Sequence, residues 1–242
     1  MSEFSFEITA KDKDSKARMG VIKTAHGNIE TPYIIPVATK GQIIALKPKD
    51  LEMLRIQCLF ANTYHLHLNP GDKIIKKFGG LHKFMKFNKP IFTDSGGFQA
   101  FSLGFGRVDN IRKIGFFPNK RSLQNNKKEE KYAIITEKGV MFKSVYDKKE
   151  HFIDAKKSMA IQSNLGSDII MAFDECTSPY SNKAYNKKAM ERTHRWALES
   201  LKYKDKKQSL YGIIQGGQYK DLRLASAKFI NSLSPKLNDI SP

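Results

Sequence analysis

The sequence predicts a parallel α/β protein, built as a barrel or an open sheet, on three observations. Short, near-continuous apolar runs recur along its 242 residues, as strands covered on both faces require. Helical patterns with short connections separate most of them. Four of the runs end in polar clusters, and in a (β/α) barrel the loops after successive strands converge on one mouth.

The candidate strands are Tyr33–Ala38, Gln57–Ala61, Pro90–Thr93, Asp168–Phe173 and Ser209–Ile214. A helix is expected over Lys49–Arg55, behind Pro48 in its first turn, and another over Asp154–Leu165, stopped by Gly166. Asn182–Tyr203 repeats Met190, Thr193, Ala197 and Leu201 at helical spacing, so that face should pack inward. Its other face carries Lys187, Lys188, Arg192 and Arg195, expected to be solvated. Tyr132–Ile135 and Val140–Ser144 flank Thr136–Gly139 as a β-hairpin decorating the sheet. Residues 111–131, rich in Lys, Arg and Asn, read as a basic loop, with phosphate-backbone contact as the sharper alternative.

Composition narrows the function. The net charge of +18, from 42 Lys and Arg against 24 Asp and Glu, favours a polyanionic partner, nucleic acid being the commonest. No secretory pattern opens the chain and no stretch is long enough for a membrane span, which points to a cytoplasmic protein without a membrane partner. Two isolated cysteines, Cys58 and Cys176, suggest reducing surroundings and cannot build a zinc site alone.

The four strand-end clusters are Asn62-Thr63-Tyr64-His65, Asp94-Ser95-Gly96-Gly97, Asp174-Glu175-Cys176 and Gln215-Gly216-Gly217. Asp94 and Asp174 at one mouth would repel, which separates an acid role from a base role. Gln215 and Asp174 offer the donor and acceptor edges that read a purine-like base. The glycine pairs let backbone amides approach a flat ligand, and Phe98 supplies a stacking face. His65 and His67 are expected to pack or hydrogen-bond, Cys176 to wall a pocket, and Trp196 to anchor a helix in the core. The residues alone support a barrel enzyme with a carboxylate site and leave the reaction open.

The motifs make that choice. Thr93-Asp-Ser-Gly-Gly-Phe-Gln99, Asn62-Thr-Tyr-His-Leu66, Met171-Ala-Phe-Asp-Glu-Cys-Thr177 and Gly212-Ile-Ile-Gln-Gly-Gly217 resemble those of the tRNA-guanine transglycosylases, and the Gly-Gly-Phe-Gln and Asp-Glu-Cys forms resemble the bacterial branch. The likeness runs in order from about Met19 to Ile230, with His26-Gly-Asn-Ile-Glu-Thr-Pro32 among its supporting matches. It implies an incomplete (β/α)8 TIM-type barrel with an added hairpin, and a pentosyltransferase that replaces the wobble guanine of GUN-anticodon tRNAs with aminomethyl-7-deazaguanine for queuosine. By the same resemblance Asp94 is the general acid/base, positioned by Asn62. Asp174 reads the guanine edge with Ser95, Gln215, Gly216 and Gly217, Cys176 lines the pocket, and Phe98 stacks on the base.

The resemblance also implies a nucleophilic aspartate and a zinc site of three cysteines and one histidine, both expected beyond Pro242. On that expectation residues 1–242 are one partial catalytic barrel with no cofactor of its own, completed by a C-terminal half-subunit, or else a fragment or a relic; a homo-oligomer is a further expectation. A non-catalytic tRNA-binding scaffold is the alternative. A barrel glycosidase using Asp94 and Asp174 follows from the residues alone but ignores the order of the motifs.

Overall fold

The computed structural model describes residues 4–97, 133–144 and 146–233. It opens with an antiparallel sheet of β1 (Ser5–Lys11), β2 (Arg18–Thr24) and β3 (Gly27–Thr31). Five parallel strands follow: β4 (Val37–Ala38), β5 (Leu59–Ala61), β6 (Ile91–Thr93), β10 (Ile169–Met171) and β11 (Ser209–Tyr211). They lie side by side in chain order, β4-β5-β6-β10-β11, without a reversal. Each expected strand is present but shorter, because only part of each apolar run pairs with a neighbouring strand.

The connections are helical. Helix α1 (Pro48–Met53) joins β4 to β5, and α2 (Thr63–Leu68), α3 (Asp72–Lys77) and α4 (Leu81–Met85) join β5 to β6. After β6 comes a second antiparallel sheet, β7 (Ala133–Ile135), β8 (Val140–Lys143) and β9 (Glu150–Ile153). The expected hairpin is therefore two strands of three. Helix α5 (Ala155–Leu165) leads to β10, α6 (Lys183–Tyr203) to β11, and α7 (Lys220–Ser232) follows. Asp154 and Asn182 cap α5 and α6 by accepting from the backbone N–H of Lys157 and Tyr185 at 2.7 and 2.9 Å.

Strand periodicity divides the core. Leu59, Ala61, Ile91, Ile170 and Leu210 face the helices, joined by Met159, Leu165, Trp196 and Ala197. The alternating residues Phe60, Phe92, Ile169, Met171 and Tyr211 face the other way, against Ile29, Ile22 and Phe4 of the N-terminal segment. That first sheet plugs one side of the parallel sheet. Helices α3, α5, α6 and α7 pack as successive neighbours in a single layer. Trp196 is the expected anchor: 2% exposed, its ring lies 4.8 Å from Phe173 and its indole N–H donates to the Glu137 carbonyl at 3.0 Å.

One expectation about the surface is corrected. Arg192 is not solvated: only 11% of its side chain is exposed, and it pairs with Glu137 and with the buried Glu175. Arg195 also pairs with Glu137. The basic face of α6 thus ties the β7–β8 turn to the helix as well as meeting water. Residues 111–131 and Phe98 lie outside the described residues.

Candidate active site at the parallel strand ends

Because β5, β6, β10 and β11 run parallel, the four polar clusters that follow them reach the same edge of the sheet. Asn62 directly follows β5 and caps α2, its Oδ1 accepting from His65 N–H at 3.1 Å. Its amide Nδ2 donates to Asp94 Oδ2 at 2.6 Å. Asp94 Oδ1 accepts from the backbone N–H of Thr63 at 2.8 Å and of Gly96 at 3.2 Å. The start of α2 therefore aims two polar groups at the Asp94 carboxylate, and the Thr63 hydroxyl donates to the backbone carbonyl of Asp94.

A second carboxylate stands on the neighbouring strand. Asp174 Oδ1 accepts from Ser95 Oγ at 2.9 Å, and Oδ2 accepts from Gln215 Nε2 at 2.9 Å. Ser95 is buried and fixed from behind, where Ser158 of α5 donates to its carbonyl at 2.7 Å. Gln215 is pinned by its own N–H, which donates to Ser226 of α7 at 3.1 Å. One group from each of three neighbouring strand ends thus meets at Asp174.

Desolvation pushes the Asp174 carboxyl up to about 6, against the lowering effect of its Ser95 and Gln215 hydrogen bonds. The like charge of Glu175 adds to the rise. Glu175 is buried behind the site, where it accepts from Tyr185 Oη at 2.6 Å and pairs with Arg192. Its backbone N–H donates to Thr193 Oγ1 at 3.0 Å, so α6 holds the 174–175 peptide in place.

The glycines answer first to packing. A Cβ on Gly97 would stand 2.7 Å from the Asp174 carbonyl oxygen. Gly216 has φ +123, and a Cβ there would stand 2.7 Å from Arg223 N. Gly217 is exposed beside it. These positions are closed to side chains by the protein itself, before any ligand is considered. Cys176 is partly buried, and burial with the charges of Asp174 and Glu175 pushes its thiol up to about 11, away from thiolate chemistry. Cys58 is fully buried and its thiol is pushed up to about 12.

His65 and His67 behave as expected: His65 Nδ1 lies 2.7 Å from Tyr146 Oη, and His67 Nδ1 2.7 Å from Asp72 Oδ1. Sequence reasoning missed Thr63, Ser158, Thr193, Tyr185 and Ser226. Thr63 and Thr193 lay within stretches that match the resemblance but carried no assigned role, and Ser158, Tyr185 and Ser226 reach the site from helices distant in sequence. The three-cysteine zinc set that the resemblance implies cannot come from these residues, which hold two cysteines, Cys58 just before β5 and Cys176 in the loop after β10.

Two carboxylates, Asp94 and Asp174, each held by amide or hydroxyl donors, thus stand at the ends of neighbouring parallel strands, where a (β/α) architecture places its functional site. Residues 12–241 match the family model described as queuine tRNA-ribosyltransferase, and the chain belongs to that family. A protein of Archaeoglobus fulgidus, provisionally named for the same activity, is 51% identical over 221 residues, covering 89% of this chain and 55% of its own. The queuine tRNA-ribosyltransferase of Acetivibrio thermocellus is 42% identical over 229 residues (94% of this chain, 54% of the relative), and that of Staphylococcus epidermidis 43% over 235 (96% and 55%). The chain spans about half the length of the curated relatives it matches.

Proposed function

We propose that this chain carries the base-recognition and proton-transfer part of a site that exchanges a guanine base in tRNA for a 7-deazaguanine. The observation that carries the reading is the meeting of Ser95, Asp174 and Gln215 at the strand ends, beside Asp94 held by Asn62. Guanine presents adjacent N–H donors that an ionised Asp174 accepts, and Gln215 turns its amide from Asp174 to the base. Ser95, Gly216 and Gly217 shape the edge, Cys176 walls the pocket, and Phe98 stacks on the ring.

The reaction is a double displacement. A carboxylate attacks the ribose anomeric carbon and the bond to guanine breaks, with Asp94 as the general acid/base on the base side. The deazaguanine then gives up its ring proton, attacks the same carbon and releases the ester, so configuration is retained. The described residues supply recognition and proton transfer; the attacking carboxylate comes from a segment matching the rest of the relatives. The five strands in unbroken chain order and the single layer of helices support a (β/α) barrel as the complete architecture. The wobble guanine of GUN-anticodon tRNAs is the target, flipped from its stack, with the +18 charge holding the phosphate backbone in the cytoplasm. No described helix is long and apolar enough to cross a membrane.

The test is incorporation of labelled guanine into unmodified tRNA, by the chain alone and with a supplied C-terminal half from a relative. Activity only in the mixture, abolished by Asp94→Ala, is expected. Activity of the chain alone would move the nucleophile to Asp174. A folded mixture that binds tRNA but neither guanine nor exchanges it would identify a scaffold.

A further inference from the structure

The opposite ends of the same strands hold a second cluster. Asp168, directly before β10, has 1% of its side chain exposed. Its Oδ1 lies 2.6 Å from His26 Nδ1, and its Oδ2 3.0 Å from His82 Nε2. Oδ2 also accepts from the backbone N–H of Ile91 at 2.9 Å, which fixes the carboxylate plane. The two imidazole rings stack with centroids 3.6 Å apart. His26 comes from the β2–β3 turn and His82 from α4, so three elements remote in sequence deliver these groups to one point. The site described above uses none of them.

We propose that His26, His82 and Asp168 form a binding site for one divalent transition-metal ion of the zinc or cobalt type. The three ligand atoms all lie within 4.8 Å of one another, and this is the one such grouping among the described residues. Zinc bonds imidazole nitrogen and carboxylate oxygen at about 2.0–2.2 Å, which sets ligands of a tetrahedral ion about 3.3 Å apart. The present nitrogen–oxygen separations, 2.6 Å to Oδ1 and 3.0 Å to Oδ2, need to widen by a few tenths of an ångström, and the stacked rings must turn so that both nitrogen lone pairs point at the ion. Two imidazoles with one carboxylate select zinc, cobalt or ferrous iron over magnesium or calcium, which prefer oxygen.

The surroundings supply the remaining requirements. His82 is 9% exposed and Asp168 1%, so two ligands are held in a dry wall, whereas 40% of the His26 side chain is exposed and leaves a way in. The Ile91 N–H bond to Asp168 is the outer contact that orients a ligating carboxylate. The ion would clamp the N-terminal sheet and α4 to the start of β10, at the stabilising end of the strands. This donor set differs from the three-cysteine zinc set of the resemblance.

The untagged full chain, freed of metal with a chelator, tests this by titration with Co2+, Zn2+ and Mg2+. The expected result is one Co2+ per chain with the visible absorption of a tetrahedral nitrogen/oxygen site, displaced by Zn2+ and not by Mg2+, and a thermal midpoint that rises with metal. His82→Ala should weaken binding by at least about tenfold. His26→Gln should do the same while leaving the fold intact, because its half-exposed side chain can still donate to Asp168. Absence of Co2+ uptake by the wild-type chain, or uptake unchanged in His26→Gln, would overturn the proposal and leave the cluster as a hydrogen-bonded tie.

Discussion

Asp168 and Asp174 flank the same three-residue strand and titrate in opposite directions. Desolvation works to raise both. At Asp168 the hydrogen bonds from His82, His26 and the Ile91 N–H outweigh it, and the carboxyl ends below the usual range. At Asp174 two neutral donors, Ser95 and Gln215, cannot do so, and the added charge of Glu175 leaves the carboxyl near 6. One end of β10 is built to keep its charge neutralised and fixed. The other holds an acid in an environment that costs stability, the usual mark of a group retained for binding or chemistry.

Breaking the first end should have the largest effect. Asp168→Ala leaves two imidazoles and a buried backbone N–H facing a cavity, and a loss of about 3–5 kcal/mol is expected in chemical denaturation. A strained backbone comes next: Gly216→Ala puts a side chain at φ +123 against Arg223 N and should cost about 1–3 kcal/mol by the same measurement.

Asp174→Asn should act with the opposite sign and depend on pH. The folded acid holds its proton up to about 6 and the unfolded one only to about 3.8, so the native state binds more protons in between. Stability therefore falls as pH rises through that window, and the cost is fully present above about 7. Removing the charge should raise stability at pH 8 by at most about 3 kcal/mol, discounted because Asp174 is not fully enclosed, and should give no gain at pH 3.5. Thermal melts of both chains across pH 3.5–8 check the crossing. Smallest of all, Arg195→Ala breaks an exposed pair with Glu137 and should cost less than about 1 kcal/mol, shrinking further in salt.

The two ends of β10 also differed in how visible they were beforehand. Asp174 sat in a polar cluster after an apolar run, one of four, and parallel strands bring such clusters to one edge. Strand centres and the long helices were readable for the same reason, since burial imposes period and length. Asp168 read only as the first residue of a strand. Its partners His26 and His82 lie 142 and 86 positions away, and no local pattern links them. The N-terminal sheet escaped notice because most of β1 and much of β2 and β3 is exposed, which blurs the alternation that marks a half-buried strand. The short helices α2, α3 and α4 are five or six residues each, below the length at which periodicity is distinctive. The desolvation that raises the Asp174 carboxyl could not be read from the sequence, because depth of burial is a tertiary quantity.

The most direct measurement of the central claim is guanine binding to the wild-type chain and to Asp174→Asn, followed by isothermal titration from pH 5 to 8. The account predicts wild-type binding that strengthens as pH rises through about 6, as Asp174 ionises and accepts the base's N–H groups, with little binding by Asp174→Asn at any pH. Equal, pH-independent binding by both chains would contradict it.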